Sequence, residues 1–190
     1  KQILKEFGFS KKKDLEKTKK LDSLLRQQKR TFNEIKKIVS QKTVIVIGSG
    51  ESLETAIPII KKLKKIPKIA ADSSISELMK NKIKTDIVVT DLDGEEKYLK
   101  KIAKTNSIMI VHAHGDNQEK LEMVKYFKNC IGTTQTKSFG ILYNFGGFTD
   151  GDRCVFLADS FGARDIILFG MDFGSKIGKF SQTKHADTKI

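Results

Sequence analysis

Hydrophobic residues recur with two different spacings along the chain, and the change between them falls near residue 43. Before that point, apolar residues stand mostly three or four positions apart, at Leu21, Leu24, Leu25, Phe32, Ile35 and Ile38. This spacing is typical of one apolar face of an α-helix. The pattern predicts a helical segment over residues 1–42, with a break at Gly8 and a helix that starts near Ser10.

Short β-branched runs alternate with helical patterns in the rest of the chain. The runs predict strands at residues 43–47, 68–71, 86–90, 107–111 and 165–169. The segments between them predict helices over residues 51–65, 73–80, 95–104, 117–127 and 151–161. Pro58 is expected to kink or split the first of these helices. Residues 130–149 show no clear period, and long connections of this kind are often functional.

Strands that alternate with helices predict an α/β fold with a mostly parallel, doubly wound, Rossmann-like sheet. We divide the chain into a basic helical N-terminal segment over residues 1–42 and an α/β catalytic domain over residues 43–190. The chain stops at Ile190 without an end signal, which leaves open a truncation of this domain at its C-terminus.

The composition narrows the class of protein. The chain has 190 residues, of which 38% are hydrophobic and 31% charged, so it is neither a disordered nor a membrane protein. No run approaches the ~18 apolar residues of a spanning helix, and no signal peptide is evident. Two cysteines, Cys130 and Cys154, are too few for a disulfide framework. We therefore expect a cytoplasmic protein.

The positive charge is concentrated at the start of the chain. The formal net charge is +13, and residues 1–42 hold 14 Lys and Arg against 5 Asp and Glu. Such a basic arm can bind nucleic acid. We favour a solvated, lysine-rich helix face instead, because the basic residues are not interleaved with aromatic residues and no zinc-finger spacing is present.

Polar residues follow the predicted strands, where ligands bind in open α/β sheets. They are Gly48, Ser49 and Gly50 after the first strand, Asp72 and Ser73 after the second, Asp91 and Asp93 after the third, His112, His114, Asp116 and Asn117 after the fourth, and Asp172 after the last. A structural turn needs only one Asp or Gly. We therefore favour one shared site over coincidence.

Asp91-Leu92-Asp93 carries the strongest chemical signal. Two carboxylates that flank one residue at a strand end can both face the crevice and bind Mg²⁺, with Asp116 as a natural third ligand. The alternative is a helix cap plus a turn residue. The Gly48-Ser49-Gly50 turn is equally compatible with a phosphate-binding turn and with a plain β-to-α turn.

Two further motifs offer polar side chains, one around His112 and His114 and one from Asn144 to Arg153. His112 and His114 are better explained as structural or substrate-contacting residues than as zinc ligands, since no third ligand lies nearby. The segment from Asn144 to Arg153 suggests a loop that leads into a helix. In it, Asp150 or Asp152 could cap the helix, and Arg153 could bind a phosphate or a carboxylate. For Phe145 and Phe148, anchoring of the loop is favoured over stacking on a flat ring.

The sequence from about Thr43 to Asp172 resembles the archaeal 6-hydroxymethyl-7,8-dihydropterin diphosphokinase family, which looks distantly related to thiamine pyrophosphokinases. The resemblance rests on Gly48-Ser49-Gly50 with Ser52-Leu53, Thr90 to Gly94, His112 to Asn117, Gln135-Thr136, Asn144 to Arg153, and Gly170 to Phe173. It implies transfer of a diphosphate from ATP to the hydroxymethyl group of a reduced pterin, with release of AMP and with Mg²⁺. One departure is Glu51, where the family usually has Pro.

The resemblance, together with the charge of a polyphosphate and the hydrogen-bond donors of a pterin, assigns roles to residues. Asp91, Asp93 and Asp116 would hold Mg²⁺ and, with Arg153, carry catalysis. The nucleotide would be bound by Gly48, Ser49, Gly50, Asp72, Ser73, Thr90 and Asn117. The pterin would be bound by His114, Gln135, Thr136, Asp150, Asp152 and Asp172. We therefore expect ATP and a reduced pterin alcohol as partners, no membrane partner and no nucleic acid, and a homodimer is left open.

Two other functions remain as alternatives at this point. The pattern Asp91-x-Asp93 also holds sugar nucleotides through a divalent metal, which would make the protein a glycosyltransferase. The basic arm over residues 1–42 could instead make it a nucleic-acid-binding module with strongly salt-dependent binding.

Overall fold

The computed structural model describes residues 11–26, 32–113, 119–135 and 137–172 and contains six strands in one sheet. In chain order these are β1 (Thr43–Ile47), β2 (Lys68–Ala71), β3 (Ile87–Thr90), β4 (Ile108–Ala113), β5 (Cys130–Thr134) and β6 (Asp165–Phe169). The order across the sheet is β5-β4-β3-β2-β1-β6, and all neighbours are parallel. The predicted α/β, Rossmann-like fold is confirmed.

Helices cover both faces of this sheet. They are α1 (Lys11–Leu25), α2 (Phe32–Val39), α3 (Leu53–Lys62), α4 (Ile75–Lys80), α5 (Glu96–Ile102) and α6 (Asp150–Ser160), with 3₁₀ segments at Asp72–Ser74 and Lys120–Tyr126. Alternate strand residues face opposite cores. Ile45 of β1 packs in the core of α1, α3, α4 and α5, whereas its neighbour Val46 packs in the core of α2 and α6. None of the described helices is long and apolar enough to cross a bilayer.

The direction of the strand order decides where α6 lies. From β1 to β5 each new strand is added on the same side of the last one, and the chain then returns past β1 to form β6. A right-handed return crossover must pass over the opposite face of the sheet. Helix α6 makes this return and packs against β1, β2 and β3. The return therefore places α6 across β2 and β3, the strands that precede the predicted site residues Asp72, Asp91 and Asp93.

The two N-terminal helices pack on the sheet. Leu21 and Leu25 of α1 are buried in one core, and Ile35 and Val39 of α2 in the other. The boundary at residue 42 stays a prediction. The described part of the basic segment contributes core side chains to both faces of the α/β sheet.

The structure corrects three predictions of secondary structure. Within the described residues, the helix predicted over residues 117–127 is a 3₁₀ segment at Lys120–Tyr126. Helix α3 continues through Pro58, so the expected split is wrong, whereas the expected kink stays a prediction. Pro58 lies on the exposed side of the helix. Residues 130–134, which showed no clear period, form the buried strand β5. A Cβ on Gly132 would lie 2.2 Å from Leu142 Cδ2. This close packing explains why a glycine, which is unfavourable inside a strand, occupies this position of β5.

Candidate functional site

Four carboxylates converge at the C-terminal edge of the sheet. Asp72 follows β2, Asp91 and Asp93 follow β3, and Asp150 is the first residue of α6. One oxygen of each lies within 4.8 Å of those of the others. Parallel strands place their C-terminal ends at one edge, and the return crossover brings the fourth aspartate to that edge from a distant part of the sequence.

Leu92 separates the two aspartates of the Asp91-Leu92-Asp93 turn. Its side chain is 1% exposed and lies in the core of α3 to α5, and its φ is +69°. This left-handed conformation is unfavourable for a leucine. The buried side chain and a 2.7 Å hydrogen bond from its amide to Thr90 Oγ1 stabilise it. The turn thus fixes both flanking carboxylates at the edge of the sheet.

Asp72 is buried and held by two donors. Its Oδ2 accepts a 2.7 Å hydrogen bond from the Thr90 hydroxyl and a 3.2 Å hydrogen bond from the Gly94 amide. A Cβ on Gly94 would come within 3.2 Å of the Asp72 carboxyl group. The glycine therefore allows the turn after β3 to lie directly against Asp72. Thr90 positions this carboxylate.

Asp150 is positioned by the cap of α6 and by two donors. Its Oδ1 accepts a 3.2 Å hydrogen bond from Arg153 Nη1, and its Oδ2 accepts a 3.3 Å hydrogen bond from the Asp91 amide. Thr149 and Asp152 form a capping box, in which the Thr149 side chain and the Asp152 side chain each accept from the other residue's amide. The positive end of the helix dipole also favours a carboxylate at this position.

The cap of α6 gives a testable prediction. Thr149→Ala should lower the free energy of unfolding by about 1 kcal/mol, which lowers the melting temperature by about 2–4 °C in a protein of this size. Thermal unfolding followed by circular dichroism measures this, with Thr149→Ser, which keeps the hydroxyl, as the matched control. Equal melting temperatures for the two variants would contradict the role of the capping box.

The four carboxylates disfavour one another's charged forms. Burial raises the pKa of Asp72 well above its ordinary value, and the charges of Asp150, Asp93 and Asp91 raise it further. Burial and then the Asp91 carboxylate raise the pKa values of Asp93 and Asp150 to about 7, although Lys120 opposes the shift at Asp93 and Arg153 opposes it at Asp150. Concentrated negative charge of this kind is relieved by a cation.

The donor set fits a hard divalent cation. Carboxylate oxygens are the ligands that Mg²⁺ and Ca²⁺ prefer. From a bond length of about 2.1 Å, oxygens around one octahedral Mg²⁺ are roughly 3 Å apart at neighbouring positions and roughly 4 Å apart at opposite ones. The carboxylate oxygens, which lie within 4.8 Å of one another, would therefore move inward by about 1–2 Å to close on one ion.

The predicted phosphate-binding turn lies beside the end of β6. The Gly48 amide donates to the Phe169 carbonyl at 2.9 Å, and the Gly50 amide donates to the Gly170 carbonyl at 2.8 Å. Asp172 accepts hydrogen bonds from the amide and the hydroxyl of Ser52. Two amides of the turn are thus engaged within the protein, and Asp172 holds the start of α3. Ser49 is half-buried in the same turn.

Close packing gives this turn a testable prediction. A Cβ on Gly48 would lie 2.4 Å from the Gly170 carbonyl oxygen, a backbone atom that has no rotamer to change. Gly48→Ala should therefore destabilise the fold by about 1–3 kcal/mol. Urea unfolding measures the loss. Gly151→Ala is the control, because the atoms nearest to its Cβ would be side-chain atoms and not backbone atoms, Met171 Sδ at 3.1 Å and Thr149 Oγ1 at 3.8 Å. An unchanged midpoint for Gly48→Ala would refute the close approach.

Other predicted site residues have partners within the protein. Asp152 accepts from the amides of Phe148 and Thr149, and Gln135 donates to Asp14 of α1 at 2.7 Å. Ser73 lies half-buried in the 3₁₀ segment after Asp72. The predicted roles of these residues stay predictions. His114, Asp116, Asn117 and Thr136 lie outside the described residues.

Sequence reasoning gave two members of the cluster different roles. Asp72 was assigned to the nucleotide and Asp150 to the pterin, but both converge with Asp91 and Asp93. The strand-end position of Asp72 was visible in the sequence. The signal for Asp150 was its place at the start of a helix after the long connection, although no spacing revealed that this helix crosses back over β2 and β3.

Phe145 anchors its loop within an aromatic group. It stacks on Tyr143 at 5.6 Å between centroids and meets Phe161 at 5.5 Å, while Phe32 of α2 contacts both of those rings. This agrees with the preference for loop anchoring over stacking on a flat ring. The group ties α2 and the end of α6 to the loop that precedes Asp150.

A pocket lies beside the carboxylate cluster, on the face that α6 covers. Val89 and Ile110 of the sheet, Thr133, Phe145, Arg153 and Leu157 contribute to its lining. The Arg153 side chain joins the two sites, since its Nη1 donates to Asp150. The free space is about enough for one water molecule.

Neither cysteine is suited to act as a nucleophile. Cys130 and Cys154 are both buried, and burial raises the pKa of each thiol above its ordinary value. A buried, protonated thiol is inert in substitution chemistry.

Comparison with known proteins places this chain in a family. Residues 16–178 match the family model described as 6-hydroxymethylpterin diphosphokinase MptE-like. A Pyrococcus furiosus protein named 6-hydroxymethyl-7,8-dihydropterin pyrophosphokinase is 44% identical over 185 residues, which are 95% of this chain and 78% of that protein. The proteins of the same name from Methanocaldococcus jannaschii and Methanothermobacter thermautotrophicus are 40% and 39% identical, with 95% of this chain and 80% and 78% of theirs covered.

A solved structure supports the fold. The MAf glycosyltransferase of Magnetospirillum magneticum AMB-1 superposes with a TM-score of 0.53 at 18% identity, over 76% of this chain and 25% of that protein. The likeness at this identity concerns the fold alone. The family match and the archaeal relatives together show that the chain belongs to the 6-hydroxymethylpterin diphosphokinase MptE-like family.

Proposed function

We propose that this chain transfers the diphosphate of ATP to the hydroxymethyl group of 6-hydroxymethyl-7,8-dihydropterin and releases AMP. The names of the three archaeal relatives support the reaction. The observation in the chain itself that carries the proposal is the convergence of four carboxylates within 4.8 Å. Diphosphate transfer depends on positioning and charge neutralisation more than on covalent catalysis, and such a cluster serves that need.

Asp72, Asp91, Asp93 and Asp150 would hold a divalent cation, for which we propose Mg²⁺. When bound, the cation supplies positive charge against the polyphosphate. The hydroxyl oxygen of the acceptor attacks the β-phosphorus of ATP, the bond from that phosphorus to the oxygen of the α-phosphate breaks, AMP leaves, and the hydroxyl proton is released. The chain contributes by holding the carboxylates rigidly, through Thr90 and Gly94 at Asp72 and through Arg153 at Asp150.

Arg153 binds a carboxylate of the cluster, which is one of the two kinds of partner that the sequence suggested for it. Its side chain is 7% exposed and pairs with Asp150 at 3.2 Å. The buried Arg153 guanidinium lies on the α6 side of the carboxylate cluster and offsets part of its negative charge. We therefore propose that Arg153 orients Asp150.

The glycosyltransferase alternative is not favoured. The archaeal relatives carry pyrophosphokinase names, and the likeness to a solved glycosyltransferase extends to the fold only. The expected cytoplasmic location and the expected absence of a nucleic-acid partner stay predictions. Whether the chain forms a homodimer stays open.

Product analysis tests the proposal. The purified chain is incubated with ATP, 6-hydroxymethyl-7,8-dihydropterin and MgCl₂, and nucleotides are separated by anion-exchange chromatography. AMP should form in equal amount to the diphosphorylated pterin, and both should vanish when EDTA replaces the metal. Formation of ADP, or AMP formation that does not need the pterin, would overturn the proposal.

A further inference from the structure

We infer that the pocket beside the carboxylate cluster receives the flat ring of the acceptor alcohol. This inference rests on the proposed function and deepens it, because it assigns the acceptor to a defined part of the chain. The pocket is lined by residues of β3, β4, β5 and α6 and by the segment from Asn144 to Gly146, which we call its roof. Its lining includes Val89, Ile110, Thr133, Phe145, Arg153 and Leu157.

The lining carries a buried donor that lacks a partner. Arg153 is 6% exposed, and its Nε has no hydrogen-bond partner within the part of the chain that the structure describes. An unsatisfied buried donor is costly, and native proteins rarely keep one without a purpose. A ring carbonyl or ring nitrogen of a heterocycle in the pocket would accept this hydrogen bond. The neighbouring Val89, Ile110 and Leu157 are apolar, as the walls of ring-binding pockets usually are.

The position of the pocket favours the acceptor over the adenine of ATP. The Arg153 side chain lines the pocket and also contacts Asp150 at 3.2 Å, and Val89 directly precedes Thr90, which holds Asp72. In the acceptor, only one methylene separates the ring from the oxygen that reacts. In ATP, the ribose and a phosphate separate adenine from the β-phosphorus. A pocket that shares a side chain with the metal site therefore suits the acceptor ring.

The roof of the pocket must lift for a ring to enter, because the space left beneath it holds about one water molecule. Little of the protein covers the roof, since Phe145 is half-buried and its neighbours Asn144 and Gly146 are exposed. Gly146 and Gly147 follow with φ of +97° and +88°, a region that glycine enters without strain. Entry of a ring requires Phe145 to leave its contacts with Tyr143 and Phe161. The two glycines allow this movement while the Phe148 amide stays bound to Asp152 and α6 and the sheet stay in place.

A pair of matched variants tests the assignment. Val89→Ile adds one methylene to the pocket wall, and Val46→Ile adds one methylene to the same core at β1, outside the pocket lining. Val89→Ile should raise the KM for 6-hydroxymethyl-7,8-dihydropterin by about tenfold or more and leave the KM for ATP within about twofold, whereas Val46→Ile should change neither. An unchanged acceptor KM in a folded Val89→Ile protein overturns the pocket assignment.

Amide hydrogen exchange on the parent chain gives a second measurement that needs no variant. The acceptor alone should protect the amides of residues 144–148, and ATP with MgCl₂ alone should not. Protection by ATP and not by the acceptor would assign the pocket to the nucleotide and overturn the inference. Unchanged exchange with an acceptor that does turn over overturns the pocket assignment while the proposed function stands. A parent chain that neither binds nor converts the acceptor overturns both.

Discussion

The Asp91→Asn, Asp93→Asn double variant is expected to fold and to lose diphosphate transfer by about 10²–10³-fold or more, a loss typical when electrostatic stabilisation is removed from a transferring group. Two of the four converging carboxylates then no longer carry charge, so the site binds a divalent cation poorly. Initial rates of AMP formation with saturating ATP and MgCl₂ measure the effect. Isothermal titration of the chain with ATP and MgCl₂ should show the loss of metal-dependent nucleotide binding.

The same variant should be more stable than the parent when no metal is present. Asp72, Asp91, Asp93 and Asp150 repel one another within 4.8 Å, and two amides remove part of that repulsion. A gain of about 1 kcal/mol would raise the melting temperature in EDTA by roughly 2–4 °C. MgCl₂ should raise the melting temperature of the parent and leave that of the variant unchanged.

Asp159→Asn is the control for both measurements. Asp159 lies on the same helix as Asp150 but near its other end, where its side chain is exposed. It should keep the activity of the parent and its response to MgCl₂. Metal-dependent ATP binding of parental strength in the double variant would rule out Asp91 and Asp93 as ligands.

Mg²⁺ binding is expected to tighten by at least about tenfold between pH 6 and pH 8. Burial and the neighbouring Asp91 raise the pKa values of Asp93 and Asp150 to about 7, so protons occupy these carboxylates at pH 6 and must leave before the metal binds. One displaced proton changes the apparent affinity by up to tenfold per pH unit below the pKa. Calorimetric titration with MgCl₂ at pH 6, 7 and 8 measures the change.

The stability of the metal-free fold should follow pH with the opposite sign. The pKa of Asp150 is raised in the folded state above its ordinary value of 3.8. Its contribution to stability is therefore fully present below about pH 4 and is lost as the pH rises through 7. The gain in melting temperature on addition of MgCl₂ should be larger at pH 8 than at pH 6. A pH-independent affinity for Mg²⁺ would show that Asp150 does not bind the cation.

Much of the fold could be predicted from local patterns. Five of the six strands are short apolar runs with a helix or a turn on either side. Such a run can be recognised from its own sequence, without knowing which strands lie next to it. Strand β5 could not be predicted, because Gly132 weakens its strand pattern. A glycine stands there because Leu142 and Leu25 pack so closely that a Cβ would not fit. That contact joins parts of the chain that the pattern of one segment does not reveal.

The candidate site also has a part that the sequence alone determines and a part that depends on the tertiary structure. The sequence by itself determined the Asp91-Leu92-Asp93 pair after a strand, the helix that starts near Asp150 and the resemblance to a family. Only the tertiary structure decided that Asp72 and Asp150 join that pair and that Arg153 faces a pocket. The physical reason is the strand order: a carboxylate's neighbours in space follow from which strands pair and from the face over which the chain returns. These depend on packing across the whole sheet, and no spacing along the chain encodes them.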